Sequence, residues 1–191
     1  MPSPLTDLFS GDDDRALAAL AHIGPEHLPD LQAVLTTRAA DADARWWSVR
    51  ALAELARQAN PIALSLLLTT TADADGDVRA AVFQALGEAR AVEAVTPLLF
   101  ALSEASPYLA RLATDALIHI GSPAVPGLVR ALENDAEARV RVNAARALAL
   151  IADPAAIPAL FHALEDESNL VQHWADEGLE RMGVGQVYFQ P

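Results

Sequence analysis

The stretch Val140–Leu164, VRVNAARALALIADPAAIPALFHAL, decides the fold. Val140, Ala144, Ala147, Leu148 and Ile151 recur at helical spacing and predict one amphipathic helix. Ala152-Asp153-Pro154 breaks it, because the residue before a proline is pushed out of the α region. Proline is tolerated in the first turn of the next helix, where its missing N–H would have had no partner. That helix carries Ile157, Leu160, Phe161 and Leu164. Neither helix buries its apolar stripe alone, so the pair predicts neighbours built the same way.

Such copies exist. Leu148 belongs to the series Leu55, Leu86, Leu117, Leu148 and Leu179, spaced by 31 residues at each step, and Leu20 extends it upstream by a step of 35. Four residues before each leucine stand Ala16, Ala51, Val82, Ala113, Ala144 and Ala175. Immediately before it stand Ala19, Glu54, Ala85, Ala116, Ala147 and Gly178, small enough for close helix approach except at Glu54. Three after it come Ile23, Gln58, Ala89, Ile120, Ile151 and Met182. The second helices align as Leu28–Leu35, Leu64–Thr71, Val95–Leu102, Val125–Leu132 and Ile157–Leu164. The extra residues of the first unit fall in its exit loop, Thr36–Ala44, where an insertion leaves a helix stack intact.

The expected organisation is one repeat domain over 1–191. It has an N-terminal cap (1–11), repeats at 12–42, 43–73, 74–104, 105–134 and 135–166, and a half repeat with a C-terminal cap (167–191). In the N-terminal cap, Ser3 is expected to cap a short helix whose Leu5, Leu8 and Phe9 cover the first unit. In the C-terminal cap, Gly183 and Gly185 end the last helix, and Val184, Val187, Tyr188 and Phe189 fold back over the open face.

Composition narrows the chemistry. The 191 residues include no cysteine, so disulfides and thiol nucleophiles are excluded and a reducing cytoplasm is the expected setting. A net charge of −13 argues against nucleic acid or an anionic membrane surface as the main partner. The longest apolar run, Ile62–Leu68, is broken by Ser65 and falls far short of the roughly 20 residues a bilayer span needs, so no membrane insertion is expected. Met1-Pro2-Ser3-Pro4 does not open a basic-then-apolar signal sequence. Most of the 26 acids crowd the junctions from second helix to next first helix, among them Asp12, Asp41, Asp75, Asp135 and Asp166. Carboxylates there accept backbone N–H bonds and meet the positive end of the helix dipole.

The run Val-Arg…Ala…Ala-Leu…Ile-x-Asp-Pro-x-Ala-Ile-Pro-x-Leu resembles HEAT-like repeats of the phycobilisome-lyase type. Val78-Arg79, Val140-Arg141 and Val171-Gln172 carry the resemblance at helix starts, and Ile120-Gly121-Ser122-Pro123 and Ile151-Ala152-Asp153-Pro154 at the mid-unit turns. Trp47-Ser48 departs from it. The resemblance spans about residues 12–183. It implies an all-α fold, a right-handed α-solenoid of about six two-helix repeats, with second helices lining a concave groove. The family it points to includes scaffolds, bilin-chromophore lyases, regulators and a few enzymes.

Searches for chemistry return little. The histidines His22, His27, His119, His162 and His173 do not share a ligand column, and the His-Glu pair of iron-dependent HEAT-like hydroxylases is missing. Asp73-Ala74-Asp75-Gly76-Asp77 fails the calcium-loop register, which leaves helix capping by Asp75. Trp46, Trp47 and Trp174 give a superficial likeness to HEAT-like DNA glycosylases, but the charge has the wrong sign. Trp47 is expected in the core, and Trp46 and Trp174 partly exposed.

No catalytic residue, metal ligand or cofactor site is therefore expected. The outward column of the second helices holds Thr69, Phe100, Arg130 and His162, and one turn later lie Ser103, Glu133 and Glu165. These seven are the candidate partner-binding residues, because an exposed aromatic beside arginine is a common hot spot. The resulting expectation is a monomeric, cytoplasmic, non-enzymatic scaffold or adaptor that binds another protein through its groove. A bilin-lyase-like or chromophore-handling auxiliary is the alternative, and a metal-dependent enzyme the second.

Overall fold

The computed structural model describes residues 3–37 and 41–184. The expected tail contacts of Gly185, Val187, Tyr188 and Phe189, and Arg38, Ala39 and Ala40 of the first exit loop, lie outside the described residues. The chain divides into two compact units, Met1–Ala89 and Arg90–Pro191.

In the first unit α1 (Pro4–Leu8) packs on α2 (Asp13–Leu20), and α3 (Leu28–Thr36), α4 (Ala42–Arg57), α5 (Pro61–Thr69) and α6 (Gly76–Glu88) follow. Ser3 stands at the N-cap of α1 but its hydroxyl makes no capping bond, contrary to expectation. The short helix is held instead by burial of Leu8 and by an ion pair from Asp7 to Arg15 of α2. Asp12, Asp41 and Asp75 do cap, accepting from Arg15 (3.1 Å), Ala44 (2.7 Å), and Asp77 and Val78 (2.9 and 3.1 Å). Asn60 caps α5 in the same way, which lets Pro61 open that helix. Trp47 is buried, and Ser48 beside it bonds back to the Ala44 carbonyl at 2.8 Å.

In the second unit the order is α7 (Val95–Ala101), α8 (Pro107–Ile120), α9 (Val125–Asn134), α10 (Ala138–Ile151), α11 (Ile157–Ala163) and α12 (Asn169–Arg181). A single 3₁₀ turn precedes α7, α9 and α11, and Pro154 begins the last of them. The break after α10 falls where the sequence reading puts it, in Ala152-Asp153-Pro154, but by a different device. It begins one residue before Asp153, at Ala152, which adopts the left-handed conformation (φ 53°) while its N–H closes the helix on Leu148.

Burial follows the repeat columns. Ala16, Ala51, Val82, Ala113, Ala144 and Ala175 are all fully buried, as are the second-helix leucines Leu31, Leu67, Leu98, Leu128 and Leu160. Small residues set the helix spacing. A Cβ on Gly178 of α12 would come within 3.0 Å of the Ala149 backbone on α10. One on Gly127 of α9 would come within 2.3 Å of the Leu99 side chain on α7.

Candidate functional site

The inward columns place the outward ones. Because Leu98, Leu128 and Leu160 face the core, the residues two positions later on each second helix, Phe100, Arg130 and His162, turn to solvent. All seven candidate residues are exposed. Phe100 is the most prominent, at 75 % exposure, and so does not tuck under a neighbouring helix.

Thr69 belongs to α5 in the first unit, where its hydroxyl bonds back to the Leu66 carbonyl at 2.9 Å. The other six belong to the second unit, on or just after α7, α9 and α11, which pack side by side. The Ser103 hydroxyl donates to the Phe100 carbonyl at 2.9 Å and so faces its own helix end.

Only some of these residues converge. A concavity of about 320 Å³ opens between α9 and α11. Leu132, Ala159 and Ala163 supply its apolar part, and Glu133, His162, Glu165 and Asp166 its polar part. Phe100, Ser103 and Arg130 stand outside that lining.

Asp166 was not among the candidates. Its carboxylate takes a two-pronged bond from Arg141 (2.8 and 3.1 Å) and a third from the Ser168 N–H (2.8 Å). The Arg141 guanidinium holds the Asp166 carboxyl below the usual carboxylate range, and that carboxylate raises Arg141 in turn. Arg141 also donates to the Asp135 and Ala136 carbonyls at the start of its own helix. Arg79 makes the equivalent bonds to the Asp73 and Ala74 carbonyls in the first unit, where Arg45 forks onto the Asp73 carboxylate at 2.9 and 3.1 Å. The recurring Val-Arg pair was the one signal that could have revealed this clamp. At the mid-unit turn the Ser122 hydroxyl, followed by the Ala155 N–H, lowers Asp153 below its ordinary value.

The tryptophans lie on first helices, Trp46 and Trp47 on α4 and Trp174 on α12. Trp46 and Trp174 are partly exposed, with Arg50 and Arg146 over their rings at 5.5 and 6.0 Å. Among the described residues no three His, Asp or Glu side chains come together to hold a metal ion. No single described helix is long and apolar enough to cross a membrane.

The comparisons with known proteins agree with this architecture. A family described as HEAT repeats matches residues 63–140 and 125–187. A "Phycobilisome maturation protein" of Synechococcus elongatus is 39% identical over 110 residues, 57% of this chain and 52% of that protein. A "Bilin biosynthesis protein RpcF" of a Synechococcus species is 36% identical over 100 residues, 52% of this chain and 47% of that protein. The chain thus spans about half the length of the curated relatives it matches. Among solved structures, the complex of CpcE and CpcF of phycocyanin lyase from a Nostoc species covers 81% of this chain and 99% of its own, with TM-score 0.53 and 20% identity. A designed armadillo repeat protein in complex with the peptide (KR)4 covers 95% and 100%, with TM-score 0.54 and 22% identity. These two place the fold among armadillo-like and HEAT-like α-solenoids.

The relatives correct one expectation. Against the expectation of no enzyme, one relative is named for bilin biosynthesis, another for phycobilisome maturation, and a fold neighbour is the CpcE–CpcF complex of phycocyanin lyase. The physical reason for the miss is the kind of signature sought. A nucleophile or metal cluster within one chain is legible in sequence. A site built from shape and scattered polar contacts leaves neither.

Proposed function

As this chain belongs to the HEAT-repeat family, we propose that it is a bilin-lyase-type auxiliary that handles a bilin chromophore during phycobilisome maturation. One observation carries this reading: sequence identity of 39% and 36% to proteins named for phycobilisome maturation and bilin biosynthesis. The chain has no cysteine, so a thiol that ends bonded to the chromophore must come from the acceptor protein. The division of labour that follows is to hold and present, with the face of the second helices receiving a protein partner. Phe100 and Arg130 suit such a contact, being an exposed aromatic and an exposed guanidinium on neighbouring helices. The proposal keeps the cytoplasm as the place of action.

The test is spectroscopic. Purified protein titrated with an open-chain bilin is expected to shift the chromophore's absorbance to the red with a saturable profile. Adding an apo-phycobiliprotein subunit should then give a covalent, denaturant-resistant coloured product faster than the subunit and bilin alone. No shift and no acceleration would sink the reading.

A further inference from the structure

Leu17 of α2 is 57 % exposed, yet its copies at the same repeat position, Leu52, Phe83, Thr114 and Ala145, are at most 1 % exposed. Ala21, one turn on, is exposed too, while its copies Ala56 and Ala149 are buried. Two contacts of the second unit show which way these columns face. Gly178 of α12 abuts Ala149 of α10, where a Cβ would come within 3.0 Å. Trp174 of α12 lies under the guanidinium of Arg146, also on α10. The column of Trp174 and Gly178 therefore faces the first helix before it, and the column of Ala145 and Ala149 the first helix after it. In the first unit the same columns hold Arg50 and Glu54 on α4, turned toward α2, and Leu17 and Ala21, turned toward α4. The apolar face of α2 thus points at α4 without being covered by it.

Glu54 accounts for the gap. Its copies Ala85, Ala116, Ala147 and Gly178 are small and buried, and so admit a close neighbour. The Glu54 carboxylate pairs with Arg57 on its own helix, and both side chains keep water. Seating α2 against them would strip that water away, at a cost that outweighs the burial of one leucine.

We infer that α2 is an end lid held ajar over α4 by Glu54. The Asp7–Arg15 pair fastens α1 to α2, and α3 packs on α4, so the movable piece is α1 with α2. Seated, the lid covers Leu17 and Ala21 as their copies are covered. It also covers the wall of α4 on which Arg50 lies over the Trp46 ring, a pair left half-exposed in the open arrangement. Glu54 is the residue that sets the balance, because it is the one member of its column from α4 to α12 that is neither alanine nor glycine. The inference is independent of the chromophore reading, and neither stands or falls with the other.

The experiment is a double-mutant cycle on the full chain, with Glu54→Ala, Leu17→Gln and the two combined. Glu54→Ala removes the obstacle and lets the lid seat. Its melting temperature should rise by about 4 °C or more, beyond the roughly 1 °C that the better helix propensity of alanine supplies. Amide exchange in α2, followed by mass spectrometry, should slow at least about tenfold in the same variant. Leu17→Gln should shift melting of the unmodified protein by no more than about 2 °C, because the leucine is exposed there. In the Glu54→Ala background the same change should erase both the added melting temperature and the added protection, because the leucine is then buried. A Glu54→Ala protein that melts within about 1 °C of the unmodified one, or below it, would overturn the inference. So would a gain that Leu17→Gln leaves intact, since the stabilisation would then come from α4 alone.

Discussion

At Asp166 both carboxylate oxygens face Arg141, and neither partner is left to water: their side chains are 13 % and 12 % exposed. Removing one partner of a buried pair strands the other, at a cost of about 3–5 kcal/mol. Here Arg141 would keep the Asp135 and Ala136 carbonyls, so Asp166→Asn should cost less, about 2–3 kcal/mol. The pH dependence has a definite sign. The folded-state pKa of Asp166 is depressed, so its contribution is fully present above the unfolded carboxyl value of about 3.9. That contribution is lost as pH falls through the lower, folded value. Urea unfolding at about pH 7 should show the full deficit of the variant, and unfolding at about pH 3 a smaller one. An equal deficit at both would contradict the ion-pair account. This clamp was half legible in sequence. The arginine showed as a motif, but its partner lies 25 residues away across a helical hairpin, and Asp166 read there as one more capping acid.

The chain leaves its first helices through a residue with positive φ, unit after unit. Ala59, Arg90, Gly121, Ala152 and Gly183, each four residues past its column leucine, all have positive φ, between 50° and 81°. An L-residue with a side chain loses roughly 1–2 kcal/mol there, a penalty glycine avoids. Glycine in turn loses more freedom on folding, so the net gain from substitution is partial. Ala152→Gly and Ala59→Gly should therefore each stabilise by about 0.5–1 kcal/mol, and Gly121→Ala should destabilise by about 1 kcal/mol. For a chain of this length these correspond to melting shifts of about 1–4 °C up or down, readable by circular dichroism. A fall in melting temperature for Ala152→Gly would show that the alanine methyl contributes packing that outweighs its backbone strain. The sequence reading placed this break at Ala152-Asp153-Pro154 but assigned its cause to the proline, because proline is the visible breaker. Left-handed geometry at an alanine has no signature of its own, and only the Gly121 and Gly183 members of the column hint at it.

Across the whole molecule, period made the core legible and hid the site. Every unit must bury the same columns, so Ala144 and Leu148 could be read from their copies. The outward positions are under no such rule, and register alone could not tell Thr69, in one compact unit, from His162, in the other. Geometry separates them, because Glu133, His162 and Glu165 line one concavity of the second unit, between α9 and α11. The same periodic architecture makes stability a sum of neighbour terms: each repeat touches the next and little beyond. Leu148 is fully buried on α10, which packs on α8, α9, α11 and α12. Leu148→Ala should remove about 2–5 kcal/mol locally. Followed by hydrogen exchange and mass spectrometry, protection should fall most in α10 and those four neighbours, while α2, α3 and α4 of the first unit keep theirs. A uniform loss along the chain would mean that it opens as one cooperative body, and the nearest-neighbour account would then fail.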